Sequence, residues 1–210
     1  MKGEPDSDAP VEVVLFDLGG VLIELGGLPE LDAFAGGGVA EEELWRRWLS
    51  CPWVRRFERG QCDADAFSRG MVETWSMPVS PDEFLSAFVA WPLGLLDGAR
   101  ELVEATRTHA RIGCLSNTNV LHAERQWTEF GIADLFDTSF LSHETGLVKP
   151  DRDVFDHAVR TLGCAPERVL FLDDNQINVD GARAAGLRAE RTRGVEEART
   201  VLGALDLHPR

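Results

Sequence analysis

Patterned cysteine, positive charge and long apolar runs are all in short supply in this sequence. The four cysteines, Cys51, Cys62, Cys114 and Cys164, stand 11, 52 and 50 residues apart. That spacing holds neither a Cys-x-x-Cys pair nor a zinc-ligand pattern, so a disulfide scaffold and a structural zinc site are excluded and reduced thiols are expected. Lys and Arg number 21 against 36 Asp and Glu, a net charge of −15. Such a chain repels phosphate backbones and anionic bilayers, which argues against nucleic acid or membrane as a partner; an anionic substrate needs a local positive site. No stretch approaches the ~18 apolar residues of a membrane span. Met1 to Pro10 carries Glu4, Asp6 and Asp8 with no apolar export segment, and a cytoplasmic location is expected. What is present is 44% hydrophobic content over 210 residues, enough for one large domain, or a domain with an insertion, that needs no covalent staples. Function is to be sought in a pocket.

The apolar run Val13-Val14-Leu15-Phe16 stops at Asp17, Gly19 and Gly20, as a buried parallel strand opening into a tight loop would. Ile112 to Leu115 stops likewise at Ser116-Asn117-Thr118-Asn119, and Val169 to Leu172 at Asp173-Asp174-Asn175. Phe140-Leu141 and Leu187 to Ala189 are weaker strand signals. Helical spacing separates them, for example Val154, Phe155, Ala158 and Leu162 after Pro150. This alternation predicts an α/β fold with a Rossmann-like, doubly wound parallel sheet, spanning 1–27 and 92–210. From Leu28 to Trp91 the period is helical throughout, with no strand between, which predicts a helical cap inserted after the first strand as residues 28–91. Five of the six tryptophans fall there: Trp45, Trp48, Trp53, Trp75 and Trp91. Packing of a small bundle accounts for most of them, and an aromatic pocket wall is the alternative.

In such a sheet the loops at the C-terminal strand ends open on one edge, so Asp17, Ser116 and Asp173-Asp174 are expected as neighbours. Carboxylates clustered so closely repel unless one is protonated or a cation sits among them, and an all-oxygen set suits Mg²⁺. Ser116-Asn117, just before a helix beginning near Asn119, can hydrogen-bond an anion, although Asn119 could also be an ordinary helix cap. Lys149, held on its loop by Pro150, offsets part of the negative charge. An aspartate, a divalent cation, hydrogen-bond donors and a fixed ammonium together make an assembly for phosphoryl transfer through a carboxylate nucleophile.

Four ordered segments, Val14-Leu15-Phe16-Asp17-Leu18-Gly19-Gly20-Val21-Leu22, Leu115-Ser116-Asn117, Lys149-Pro150-Asp151 and Phe171-Leu172-Asp173-Asp174-Asn175, resemble the motifs of the haloacid dehalogenase (HAD) superfamily from about Val11 to Gly186. Phe57-Glu58-Arg59-Gly60 is similar to phrases in caps of that family. The resemblance implies that Asp17 is the nucleophile, Ser116 and Asn117 bind phosphate, and Lys149 steadies phosphate and nucleophile. It implies Asp17, the Gly19 backbone carbonyl and Asp174 as Mg²⁺ ligands, with Asp173 supporting. Phosphatases of the family usually carry Asp where this chain has Gly19, as a general acid worth ~10²–10⁴ in rate. The expected activity is Mg²⁺-dependent hydrolysis of a small phosphorylated metabolite, such as a sugar phosphate, through an aspartyl-phosphate, favouring leaving groups that depart without full protonation. His143 is a conceivable substitute acid. Arg46, Arg47, Arg55, Arg56 and Arg59 are cap candidates for specificity by charge and location alone. Haloacid dehalogenation, a phospho-accepting signalling module and a catalytically weak binding or regulatory module are the rivals, and the chain is expected as monomer or homodimer.

Overall fold

The computed structural model describes residues 9–208; Glu4, Asp6 and Asp8 of the N-terminal expectation lie outside them. Five parallel strands form the main sheet in the order β5-β4-β1-β6-β7: β1 Val13–Phe16, β4 Arg111–Ser116, β5 Thr138–Leu141, β6 Val169–Asp173 and β7 Arg188–Arg191. Side chains alternate across a strand, so Val14 and Phe16 face one apolar cluster while Val13 and Leu15 face the other. The first is closed by helices α6 (Ala99–Arg107), α7 (Val120–Thr128) and α11 (Gly194–Ala204), the second by α9 (Arg152–Leu162) and α10 (Gln176–Ala184). A short α8 (Ser142–Thr145) follows β5. Both faces of the sheet are therefore dry, which is why β1 and residues 169–172 of β6 are apolar throughout. The strand order turns around at β1, and the polar ends of β1, β4 and β6 meet at one crevice.

Between β1 and β4 lies a five-helix insertion: α1 Gly27–Phe34, α2 Glu41–Ser50, α3 Pro52–Glu58, α4 Ala64–Trp75 and α5 Pro81–Ala90. It has its own apolar cluster, in which Phe57 and Phe67 stack at 4.3 Å and Trp48 lies 5.4 Å from Trp91. Its boundaries are chemically marked. Ser80 and Glu83 form a reciprocal capping box at the start of α5, and Asp63 caps α4. The insertion is joined to the sheet by a feature absent from the sequence reading, a two-stranded antiparallel ribbon of β2 (Ile23–Leu25) and β3 (Pro92–Leu95). Arg55 of α3 and Arg59 at its C-cap also reach the body of the protein, both binding Asp151 Oδ2, at 2.5 and 2.6 Å. No helix among the described residues is long and apolar enough to cross a membrane.

Candidate active site

Lys149 is the hub of the crevice. Its side chain is 1% exposed, and its Nζ lies 2.8 Å from Asp17 Oδ1 and 2.6 Å from Asp173 Oδ2. Burial alone pushes the ammonium down, but the two carboxylates outweigh it and hold it protonated. The lysine loop is braced by Asn117, whose Oδ1 accepts from the Lys149 N–H at 2.8 Å while Nδ2 donates to the Lys149 carbonyl at 3.1 Å. The Asn117 side chain thus serves the lysine loop. Asn119 caps α7, accepting from the Leu121 and His122 N–H groups, so Ser116 and Asn117 are not needed as caps. Ser116 is buried at the end of β4 and lines the same pocket.

Asp17, Asp173 and Asp174 each offer a carboxylate oxygen within 4.8 Å of the others. They are not equivalent. Asp173 is fully buried and accepts from Lys149, from Asn178 Nδ2 at both of its carboxylate oxygens, each at 3.1 Å, and from the Asn175 N–H at 2.8 Å. Its oxygens are committed to protein donors. Asp17 keeps Oδ1 against Lys149 and the Leu18 N–H at 2.8 Å, with no donor to Oδ2 among the described residues. Burial, followed by the repulsion of Asp173 and Asp174 against the pull of Lys149, raises Asp17 to about 8. Burial and Asp173 raise Asp174 to about 6. Two under-neutralised carboxylates beside a backbone turn are the donor set a hard cation uses, and one or two carboxylates is the number Mg²⁺ takes. Asp17, Asp174 and the Gly19 carbonyl fit that role; Asp173 fits as their support.

The loop after β1 is wound tightly to present them. Leu22 and Ile23 N–H groups both return to the Leu18 carbonyl, and Gly194 N–H closes on the Gly20 carbonyl at 2.7 Å. Gly20 has φ +72°, and a Cβ there would stand 2.4 Å from Asp174 Oδ2. Gly20→Ala is expected to displace the Asp174 carboxylate and lower stability by roughly 1–3 kcal/mol in a urea titration; an unchanged midpoint would show that the loop yields freely.

Over these groups the helical insertion closes a chamber that is partly open to solvent. Of the five tryptophans there, Trp45, Trp48 and Trp91 line it, while Trp53 and Trp75 do not, so packing and pocket-wall roles divide among them. None of the five arginines read as specificity candidates reaches it. Arg55 and Arg59 are spent on Asp151, Arg46 on Glu42 and Glu43, and Arg47 and Arg56 lie over the rings of Trp75 and Trp53. His143 is also outside the chamber lining, and its expectation as substitute acid is not supported. The residue that sequence reasoning passed over is Glu58, at the end of α3, 9% exposed and facing the chamber. Burial pushes it up to about 7, against the opposing pull of the Trp48 indole, Lys149, Arg55 and the Asn117 amide. A carboxyl withdrawn from water without an ion-pair partner is a functional signal. Its position in Phe57-Glu58-Arg59-Gly60 was visible, but its orientation was not.

A parallel α/β sheet with an acidic, lysine-bridged crevice at its switch point defines the class, a hydrolase built on a Rossmann-like core. The family model for haloacid dehalogenase-like hydrolases matches residues 11–186, and the chain belongs to that family. It is 31% identical over 200 residues to phosphatase MT3486 of Mycobacterium tuberculosis, covering 85% of this chain and 86% of that one. A HAD-family enzyme of Bacteroides thetaiotaomicron, solved with magnesium and inorganic phosphate, superposes with TM-score 0.70 at 23% identity over 91% of this chain and 98% of that one. The L-2-haloacid dehalogenase of Xanthobacter autotrophicus superposes with TM-score 0.62 at 21% identity, over 92% and 82%.

Proposed function

We propose that this hydrolase is a Mg²⁺-dependent phosphomonoesterase acting on a small phosphorylated metabolite, with residues 28–91 as the cap over a core of 1–27 and 92–210. The observation that carries the reading is the lysine-bridged carboxylate trio, since three acids on one crevice suit a cation and a phosphate ester better than a halide displacement. The relatives named as phosphatases and the neighbour bound to magnesium and phosphate support it. Asp17 attacks phosphorus through Oδ2, while Lys149 holds Oδ1 and offsets charge on the phosphoryl oxygens. Ser116 and the backbone beside it hold those oxygens. Mg²⁺, held by Asp17, Asp174 and the Gly19 carbonyl, would supply electrostatic stabilisation of the transferring phosphoryl group.

The Asp17–phosphorus bond forms as the ester P–O bond breaks, and the departing oxygen takes a proton from Glu58, which stands in for the acid missing at Gly19. Water then attacks the aspartyl phosphate, giving its proton to the Glu58 carboxylate; inorganic phosphate leaves and Asp17 is restored. Phosphate release from p-nitrophenyl phosphate is expected with Mg²⁺ and is expected to vanish with a chelator. Release of chloride from 2-chloropropionate without metal would instead favour the dehalogenase reading.

Glu58→Gln tests the acid. In kcat/KM, which reports the steps through phosphoryl transfer to Asp17, alkyl phosphates should fall ~10²–10⁴-fold while p-nitrophenyl phosphate, whose leaving group needs no proton, changes little; kcat falls for both where the water step limits, since that step also uses Glu58. An equal loss of kcat/KM on both would assign Glu58 a structural role. The same variant has a second signature. Folded Glu58 titrates near 7 against 4.5 unfolded, so the folded state keeps a proton that the unfolded state has lost, and native stability falls as pH rises through that window. Glu58→Gln removes that loss and is expected to gain stability over the parent at pH 8 by up to roughly 3 kcal/mol, with little gain near pH 4.

A further inference from the structure

The upper half of the chamber is apolar. Leu28, Trp45, Trp48, Leu49, Phe88 and Trp91 face it, and Lys149, at its floor, is the only Lys or Arg side chain among its described lining residues. His122 in the wall is no substitute cation: its Nε2 donates to the Phe88 carbonyl at 2.7 Å. Burial then holds the ring down at about 4, so it is neutral at ordinary pH. Arg46, Arg191 and Arg193 line a neighbouring cleft that meets the chamber at Trp45, Asp174 and Asn175. They are engaged there by Glu42 and Glu43, the Asp174 carbonyl and Glu41. A second anionic group on a substrate seated over Asp17 would therefore lie in an aromatic wall beside Glu58, desolvated and without a counter-ion.

Three of the described lining residues, Thr118, Gln126 and Asn178, hold a buried side-chain oxygen with no hydrogen-bond partner; Asn178 donates to Asp173 and Thr118 follows Ser116-Asn117 at the phosphoryl end, which leaves Gln126 for the body of a substrate. Gln126 on α7 is 4% exposed, lines the chamber, and its Oε1 has no hydrogen-bond partner. A buried side-chain acceptor left unmet in an apolar chamber marks the place of a ligand donor.

We infer that the chamber selects a phosphate monoester whose phosphate is its only charged group, with an uncharged, largely hydrophobic body against Trp45, Trp48 and Trp91 and one hydroxyl donating to Gln126. This rests on the phosphatase reading and narrows its substrate away from sugar bisphosphates and phosphoamino acids. Burial of each added methylene is worth about fourfold in affinity for the apolar wall.

The test is a homologous series of n-alkyl phosphates from ethyl to hexyl, whose leaving groups differ little in basicity, assayed on the full chain with Mg²⁺. kcat/KM should climb by about two- to fourfold per carbon before levelling. Phosphoserine and fructose 1,6-bisphosphate should fall at least ~100-fold below hexyl phosphate. Trp45→Ala, at a half-buried position, should flatten the climb, and Gln126→Leu should weaken ω-hydroxyhexyl phosphate but not hexyl phosphate. A flat series with phosphoserine or the bisphosphate preferred would overturn the inference and leave the phosphatase reading standing, with the arginine cleft as the selecting surface. Should no ester be turned over, including p-nitrophenyl phosphate, the phosphatase reading is what fails. Binding still decides the chamber: tryptophan fluorescence should report hexylphosphonate more tightly bound than methylphosphonate, and equal binding would sink the claim independently of turnover.

Discussion

Asp17→Asn is expected to abolish phosphate release, by at least ~10⁴-fold, while leaving the protein folded. The substitution is nearly isosteric. Its Oδ1 can still accept from the Leu18 N–H and from Lys149, which retains Asp173 as its charged partner. One negative charge leaves a cluster in which burial and neighbouring acids already resist ionisation, so the melting temperature should hold or rise. On the proposed mechanism the substitution removes the nucleophile, and with it a covalent phosphoryl adduct that acid quenching and mass spectrometry should detect on the parent protein. Turnover within tenfold of the parent would mean that water attacks the ester directly, with Asp17 only a metal ligand.

Lys149→Met should have a comparable effect on rate and a much larger one on stability. The ammonium sits between Asp17 and Asp173, both removed from solvent, and its deletion strands two carboxylates in a medium that disfavours their charge. Breaking a buried pair by removing one partner costs about 3–5 kcal/mol, which for a chain of this size is roughly a 10 °C fall in melting temperature. The sign of its pH dependence follows. Without the ammonium Asp17 binds its proton more readily in the folded state, so the deficit should be largest near pH 8 and shrink as pH falls and Asp17 protonates. Calorimetry at both pH values checks this. A shift of under ~2 °C at pH 8 would show that the carboxylates find other compensation.

Much of this arrangement was legible from residue order. The runs ending at Phe16, Leu115 and Leu172 marked three adjacent strands because a strand buried on both faces must be apolar at every position, and the polar residues that followed could only lie at the crevice. Asp17, Ser116, Lys149, Asp173 and Asp174 are brought together as that logic requires. The β2–β3 ribbon was not legible. Ile23–Leu25 is too short to show a period, and Pro92-Leu-Gly-Leu contains the two residues that ordinarily argue against a strand. Side-chain partnerships were hidden too. Asn178, five residues past Asp173, could have been read as its second donor from the helical start alone, but the Asn117 brace joins positions 32 apart. Charge misled in the opposite direction. Five arginines clustered in one segment suggested anion recognition, whereas each is taken up by a nearby acid or ring, and the group that faces the chamber is an acid.

The twin grip of Arg55 and Arg59 on Asp151 bears on timing. Asp151 lies two residues beyond Lys149, and Glu58, the last residue of α3, sits between Arg55 on that helix and Arg59 at its C-cap. Swinging α3 outward to admit or discharge a molecule would therefore unlatch two guanidinium contacts and carry the proton donor away from the phosphoryl centre in a single motion. Half-exposed ion pairs of this kind are weakened by dissolved electrolyte. On the mechanism proposed above, ionic strength would throttle that exchange: brine would loosen the latch, quickening exchange while shortening the interval in which acid, nucleophile and ester are aligned.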